Sequence, residues 1–111
     1  MLKLKYKDIP RIKATLISEQ GGSCPICNRC ILTLKARDRC LDHNHINGRV
    51  RAVLCRSCNA IEGKTYKNFV RYGLRKAGID YLHFLNNLTK YASIQETDYI
   101  HPKFKDKKVK K

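Results

Sequence analysis

Apolar and polar positions alternate with different periods along the chain, and the changes of period divide it into elements. Ile9, Ile12 and Leu16 recur at helical spacing, which predicts a helix from Ile9 to Gln20. Pro10 suits its first turn, and Gly21-Gly22 ends it. From Cys40 to Cys55 the period falls to two. Val50, Ala52 and Leu54 alternate with Arg51 and Val53, so the segment reads as two short strands joined at Asn47-Gly48. Helical spacing returns with Tyr66, Phe69 and Val70, predicting a helix from Cys58 or Asn59 to about Tyr72, where Gly73 is a stop and Gly63 loosens the first half. A further helix is predicted from Ile79 to Ala92. Its apolar residues cover more than one narrow face, which calls for two surfaces to bury against. Between the first helix and the strands, Ser23 to Arg39 reads as a loop or small hairpin rich in cysteine.

Length and charge narrow the class. At 111 residues the chain fits one domain, with a core small enough to need a staple. Lysine and arginine outnumber acidic residues 24 to 9, a formal charge of +15, which points to a polyanion, nucleic acid first. The bland alternative is a basic solvated surface. No stretch is apolar enough to span a bilayer, and the first residues lack the apolar core of a signal peptide, so a cytoplasmic protein is expected. In a reducing compartment six cysteines suggest metal ligands before disulfides.

The cysteines supply the staple. Cys24-Pro-Ile-Cys27 and Cys55-Arg-Ser-Cys58 are two knuckles, each able to present two thiolates to one ion. Together they complete the closed four-sulfur set of structural zinc. Cys27 and Cys30 form a competing pair, and the compact turn after the double glycine favours Cys24 with Cys27. Cys30 and Cys40 are then expected to be ordinary small packing residues.

Between the knuckles stands Leu41-Asp42-His43-Asn44-His45. A carboxylate and two imidazoles this close are costly on a strand unless something uses them. On a regular strand Asp42 and His43 point to opposite faces, whereas His43 and His45 share one. Asn59 directly follows the last zinc cysteine. Phosphodiester hydrolysis requires a divalent ion at the phosphate, hard oxygen ligands to hold it, and a base that accepts a proton near neutral pH. Asp42 and the Asn59 carbonyl supply ligands for magnesium or manganese. His43 supplies the base, and His45 orients phosphate or supports the fold. A polar turn or extra zinc ligands is the competing account. Arg49, Arg51, Arg56 and Lys64 are candidate phosphate contacts.

These motifs resemble the recombination endonuclease VII family of phages. The likeness runs from Cys24 through about Lys105. It takes in Gly48-Arg-Val-Arg-Ala-Val-Leu-Cys-Arg-Ser-Cys-Asn-Ala-Ile-Glu-Gly-Lys64, Gly78-Ile-Asp-Tyr-Leu82 and Ile100-His-Pro-Lys-Phe104. The resemblance implies an α+β, mostly helical fold: a ββα-metal (His-Me finger) core beside a four-cysteine zinc, with additional helices. It implies Asp42 and Asn59 as ligands of the catalytic ion, His43 as general base, and functional roles for Glu62 and His45. It also implies a phage-encoded homodimer that resolves branched DNA, such as four-way junctions, by paired nicks. Cys40 departs from the pattern, standing where the family has another histidine. The expected layout is one nuclease domain over 1–102, with its zinc and ββα core at about 23–73 and a helical dimerisation part at about 74–98. A basic tail over 103–111 follows. Two other functions fit in part: a sequence-tolerant nicking endonuclease of the HNH type, and a non-catalytic zinc-knuckle module that binds DNA.

Overall fold

The computed structural model describes residues 3–105. Helix α1 spans Ile9–Glu19, strand β1 Arg39–His43, strand β2 Val50–Cys55, helix α2 Arg56–Arg71 and helix α3 Tyr81–Ala92. The chain divides into two compact units, Met1–Gly78 and Ile79–Lys111.

In the first unit, α1 starts with Pro10 in its first turn, and Gly22 N–H donates to the Ile17 carbonyl at its end. Gly22 has φ +77°, a conformation that favours glycine, and a Cβ there would lie 2.8 Å from the exposed Leu32 side chain, which would have to shift. β1 and β2 pair antiparallel across a turn that Asn44 organises. Its side-chain oxygen accepts from the Ile46 and Asn47 N–H groups at 2.8 and 3.2 Å, and Gly48 takes a φ of 76°. The register slips once. Asp42 faces Ala52 but His43 faces Val50, which leaves Arg51 as an extra residue on β2. Such a bulge re-aims the side chain it carries.

Ile17, Cys24, Ile31, Val53, Leu54, Cys55 and Cys58 form the core, with Leu16, Leu34 and Leu41 against it. Full burial of Ile31 and Val53 contributes about 1.5–3 kcal/mol each. The end of α1 is tied to β2 through Gln20. Its amide oxygen accepts from Val53 N–H at 2.7 Å, and its amide nitrogen donates to the Val53 and Ser23 carbonyls at 2.9 and 3.1 Å. α2 begins at Arg56, earlier than the predicted Cys58 or Asn59, because the zinc-knuckle residue Cys55 is itself the N-cap. Its Sγ accepts from Cys58 N–H at 3.4 Å.

In the second unit α3 starts at Tyr81, two residues after the predicted Ile79. Asp80 caps it, its carboxylate accepting from His83 N–H at 3.0 Å. No residue of α3 is buried, and Leu82, Leu88 and Tyr91 are exposed. Of the basic stretch over 103–111, the positions from 106 on lie outside the described residues.

Candidate functional site

The two knuckles converge. Cys24, Cys27, Cys55 and Cys58 bring their sulfurs within 4.8 Å of one another. A regular tetrahedron of sulfurs about 2.3 Å from zinc has edges of about 3.8 Å, and the Cys27 and Cys55 sulfurs lie 3.8 Å apart. The donor set and its spacing therefore fit zinc. Of the competing pairs, the cluster takes Cys24 with Cys27. Cys30 is exposed and outside it, which corrects the expectation that Cys30 is a packing residue. Cys40 is half-buried, and burial pushes its thiol up.

The first knuckle is a miniature hairpin. Ser23 and Cys30 form a bridge, Cys24 N–H donates to the Arg29 carbonyl, and Asn28 takes a left-handed φ of 62°. The hairpin folds Arg29 back over the sulfurs. Its Nε–H donates to Cys27 Sγ at 3.2 Å and its terminal NH₂ to Cys55 Sγ at 3.4 Å. This guanidinium holds the Cys27 thiol down at about 6. At Cys58 burial dominates, and together with the bonds to neighbouring sulfurs it pushes the thiol up to about 12. Burial also opposes ionisation of Cys24, but hydrogen bonds from the Cys27 and Cys55 backbones outweigh it and the thiol is lowered. Four sulfurs this close cannot all carry charge without a cation among them, which is the role a zinc ion plays.

Beyond the zinc cluster runs a chain of charged groups. Asp42, on β1, is the one buried charged residue among those described, at 6% exposure. Arg51 grips both its oxygens: Nε–H donates to Oδ2 at 2.7 Å and the terminal NH₂ to Oδ1 at 3.1 Å. The same NH₂ lies 3.1 Å from Glu62 Oε2 on α2. The hydrogen bond to Asp42, followed by that to Glu62, raises the guanidinium above its usual range. Glu62 Oε1 in turn lies 2.7 Å from His45 Nε2. The His45 ring stacks on Tyr66, centroids 4.7 Å apart and planes 7° from parallel.

Helical periodicity explains the convergence. Asn59, Glu62, Tyr66 and Phe69 recur at spacings of three and four, so one face of α2 carries them all. Glu62 and Tyr66 show that this face is turned towards the hairpin. Asn59 is half-buried one turn before Glu62. Its carboxamide and the carboxylates are hard oxygen donors of the kind a divalent cation takes.

His43 is placed differently from His45. It ends β1, is exposed, and lines an open groove of about 770 Å³. Leu4, Ile9 and Ile12 contribute apolar wall to that groove, and Lys3 and Arg49 contribute positive charge. The two imidazole centroids are 6.0 Å apart, the planes tilted by 54°. Of the four basic residues expected at phosphates, Arg49 is on the groove and Arg51 is turned to the carboxylates. Arg56 is exposed beside Asp38 at 3.6 Å, and Lys64 is exposed on α2.

Three contacts escape a reading of the sequence, although Arg51 is among its candidate phosphate contacts. Arg51 meets Asp42 only because of the bulge, which strict alternation does not reveal. Arg29 reaches the sulfurs only through the left-handed turn at Asn28. Tyr66 reads as an apolar helix position, although its spacing of four from Glu62 is a usable signal. Among the described residues no helix is long and apolar enough to cross a membrane. The model of the recombination endonuclease VII family matches residues 1–93, a span that contains both knuckles, the Asp42–His45 segment and α2, and the chain belongs to that family.

Proposed function

We propose that the chain is a divalent-cation-dependent endonuclease that nicks branched DNA, with His43 as its general base. Family membership supports an endonuclease acting on DNA. The observation that carries the rest is the division between two histidines only two residues apart. His45 is pinned by Glu62 and Tyr66, whereas His43 faces an open groove whose rim bears Lys3 and Arg49. A base must reach a water beside the phosphate, so the ring on the groove suits catalysis and the pinned ring suits support.

The order β1, β2, α2, with histidine at the end of the first strand, supports a ββα-metal core, and the four cysteines would hold a zinc ion beside it. Asp42 and Asn59 would hold the catalytic magnesium or manganese ion. When bound, such an ion neutralises charge on the phosphate and the leaving oxygen. His43 accepts the proton of the attacking water. Lys3 and Arg49 receive flanking phosphates, a contact that ignores base sequence and weakens with salt. Glu62 and Tyr66 hold His45, which braces the strand end carrying His43. The exposed apolar residues of α3 support a homodimer, in which a second copy of the helix covers them. The phage members of the family suggest work in a host cytoplasm.

The test is incubation of the zinc-loaded chain with a synthetic four-way junction, magnesium present or withheld. Paired nicks that require magnesium, and are lost in His43→Ala while junction binding persists, are the expected result. Binding without cutting under any divalent ion would instead mark a zinc-knuckle DNA-binding module. Equal cutting of linear duplex would mark a general nicking enzyme.

A further inference from the structure

The Asp42 carboxylate that would hold the catalytic ion already has a cation. Both its oxygens accept hydrogen bonds from Arg51, in the paired geometry that makes arginine–carboxylate contacts strong. The same guanidinium spans to Glu62. One positive charge thus faces two carboxylates, and a divalent ion would match that charge better. The side chains differ in freedom. Asp42 is buried, while the Arg51 side chain is 38% exposed and sits on a bulge at the water-facing end of β2. Arg51 therefore has a path into solvent and Asp42 does not.

We propose that Arg51 is a displaceable latch: it occupies Asp42 and Glu62 in the resting protein, and a divalent cation enters as the guanidinium swings out to a DNA phosphate. This deepens the nuclease reading and rests on it for the identity of the incoming phosphate. The exchange couples two ligands through one side chain. DNA draws the guanidinium away and so favours the cation, and by reciprocity the cation frees a positive group for DNA. In the resting state the carboxylates remain paired, so Asp42 is never left buried and alone.

The experiment measures manganese binding, not cutting. Zinc-loaded wild type, Arg51→Gln, Arg51→Lys and Asp42→Asn are titrated with Mn²⁺, and the free ion is read by electron paramagnetic resonance. Titrations are run alone and with a four-way junction, with His43→Ala added to every protein to prevent cleavage. Without DNA, Arg51→Gln should bind Mn²⁺ about tenfold more tightly than its parent, the scale on which neighbouring residues shift metal affinity. Arg51→Lys should fall between them, and Asp42→Asn should lose the site. The junction should tighten Mn²⁺ binding to the parent and have little effect in Arg51→Gln. Equal or weaker Mn²⁺ binding by a folded, zinc-containing Arg51→Gln overturns the proposal.

If Arg51→Gln fails to fold, the parent still decides. Saturating Mg²⁺ should shift the Arg51 Nε–H resonance in ¹H–¹⁵N spectra as its bond to Asp42 breaks, and an unmoved resonance overturns the latch. The nuclease reading fails separately. A wild type that cuts junctions but shows no displacement keeps its activity and loses the latch. One that displaces Arg51 yet never cuts keeps the latch and loses the activity.

Discussion

The sulfur cluster and the carboxylate chain each draw residues from both β2 and α2, and they meet the problem of like charges in opposite ways. Cys24, Cys27, Cys55 and Cys58 gather four groups that can carry only negative charge, and Arg29 reaches two of them. They are complete only around a metal. Asp42 and Glu62 are bridged within the chain by Arg51, with His45 on the outer oxygen. They have partners without a metal, so any ion arriving there competes with an existing contact. The contrast lies in whether the chain supplies its own counter-charge: Arg51 bridges the two carboxylates, whereas Arg29 reaches two of the four sulfurs.

The harshest way to break the comparison is at the sulfurs. Cys55→Ser removes both a ligand and the α2 cap, so zinc content should fall below one per chain and the circular dichroism of the fold should collapse. A stable variant with full zinc would show that the cluster is not the staple. At the other region His43→Ala should leave zinc and thermal stability intact. Junction cutting should fall by about a hundredfold to ten-thousandfold, the range of a lost general base. Unfolding of that variant would place His43 in the structure and not in the chemistry.

Smaller changes sharpen the contrast. Tyr66→Leu removes the ring that stacks on His45 but keeps an apolar residue on α2. Cutting should drop by about tenfold in turnover with junction affinity unchanged, an effect of about 1.4 kcal/mol. Equal loss in both quantities would assign Tyr66 to DNA contact. The mildest test is Arg29→Gln. Arg29 holds the Cys27 thiol below its ordinary 9.0, at about 6. A lowered thiol contributes stability that is complete above pH 9.0 and is lost as pH falls through about 6. The variant should therefore release zinc at a higher pH than wild type on acidification. Coincident release curves would leave Arg29 without that role.

How far the sequence discloses these regions depends on the range of the interactions. The knuckles are legible because two residues of spacing suffice to place two sulfurs on one ion. α1 is legible from Pro10 and the double glycine, since the ends of helices are local events. The start of α2 reads late because Cys55, a member of the sulfur cluster, is also the cap, and cysteine is not among the residues that usually cap helices. The Arg51–Asp42 contact is hidden by a one-residue slip in register, which reverses the facing of every side chain beyond it. Asp42, His43 and Asn59 stand out by residue type and order, whereas the separation of His43 from His45 needs the turn at Asn44 and the face of α2 together.

The Gln20 amide has a consequence for how the molecule behaves in a crowd. By giving and taking hydrogen bonds with Val53, it acts as a one-residue imitation of a third strand on the open margin of a two-stranded sheet. Unfinished margins recruit other chains and seed aggregates. A single glutamine at the end of a helix occupies that margin at the most buried stretch of β2, so the residue that fastens the helix down also covers part of the sheet edge.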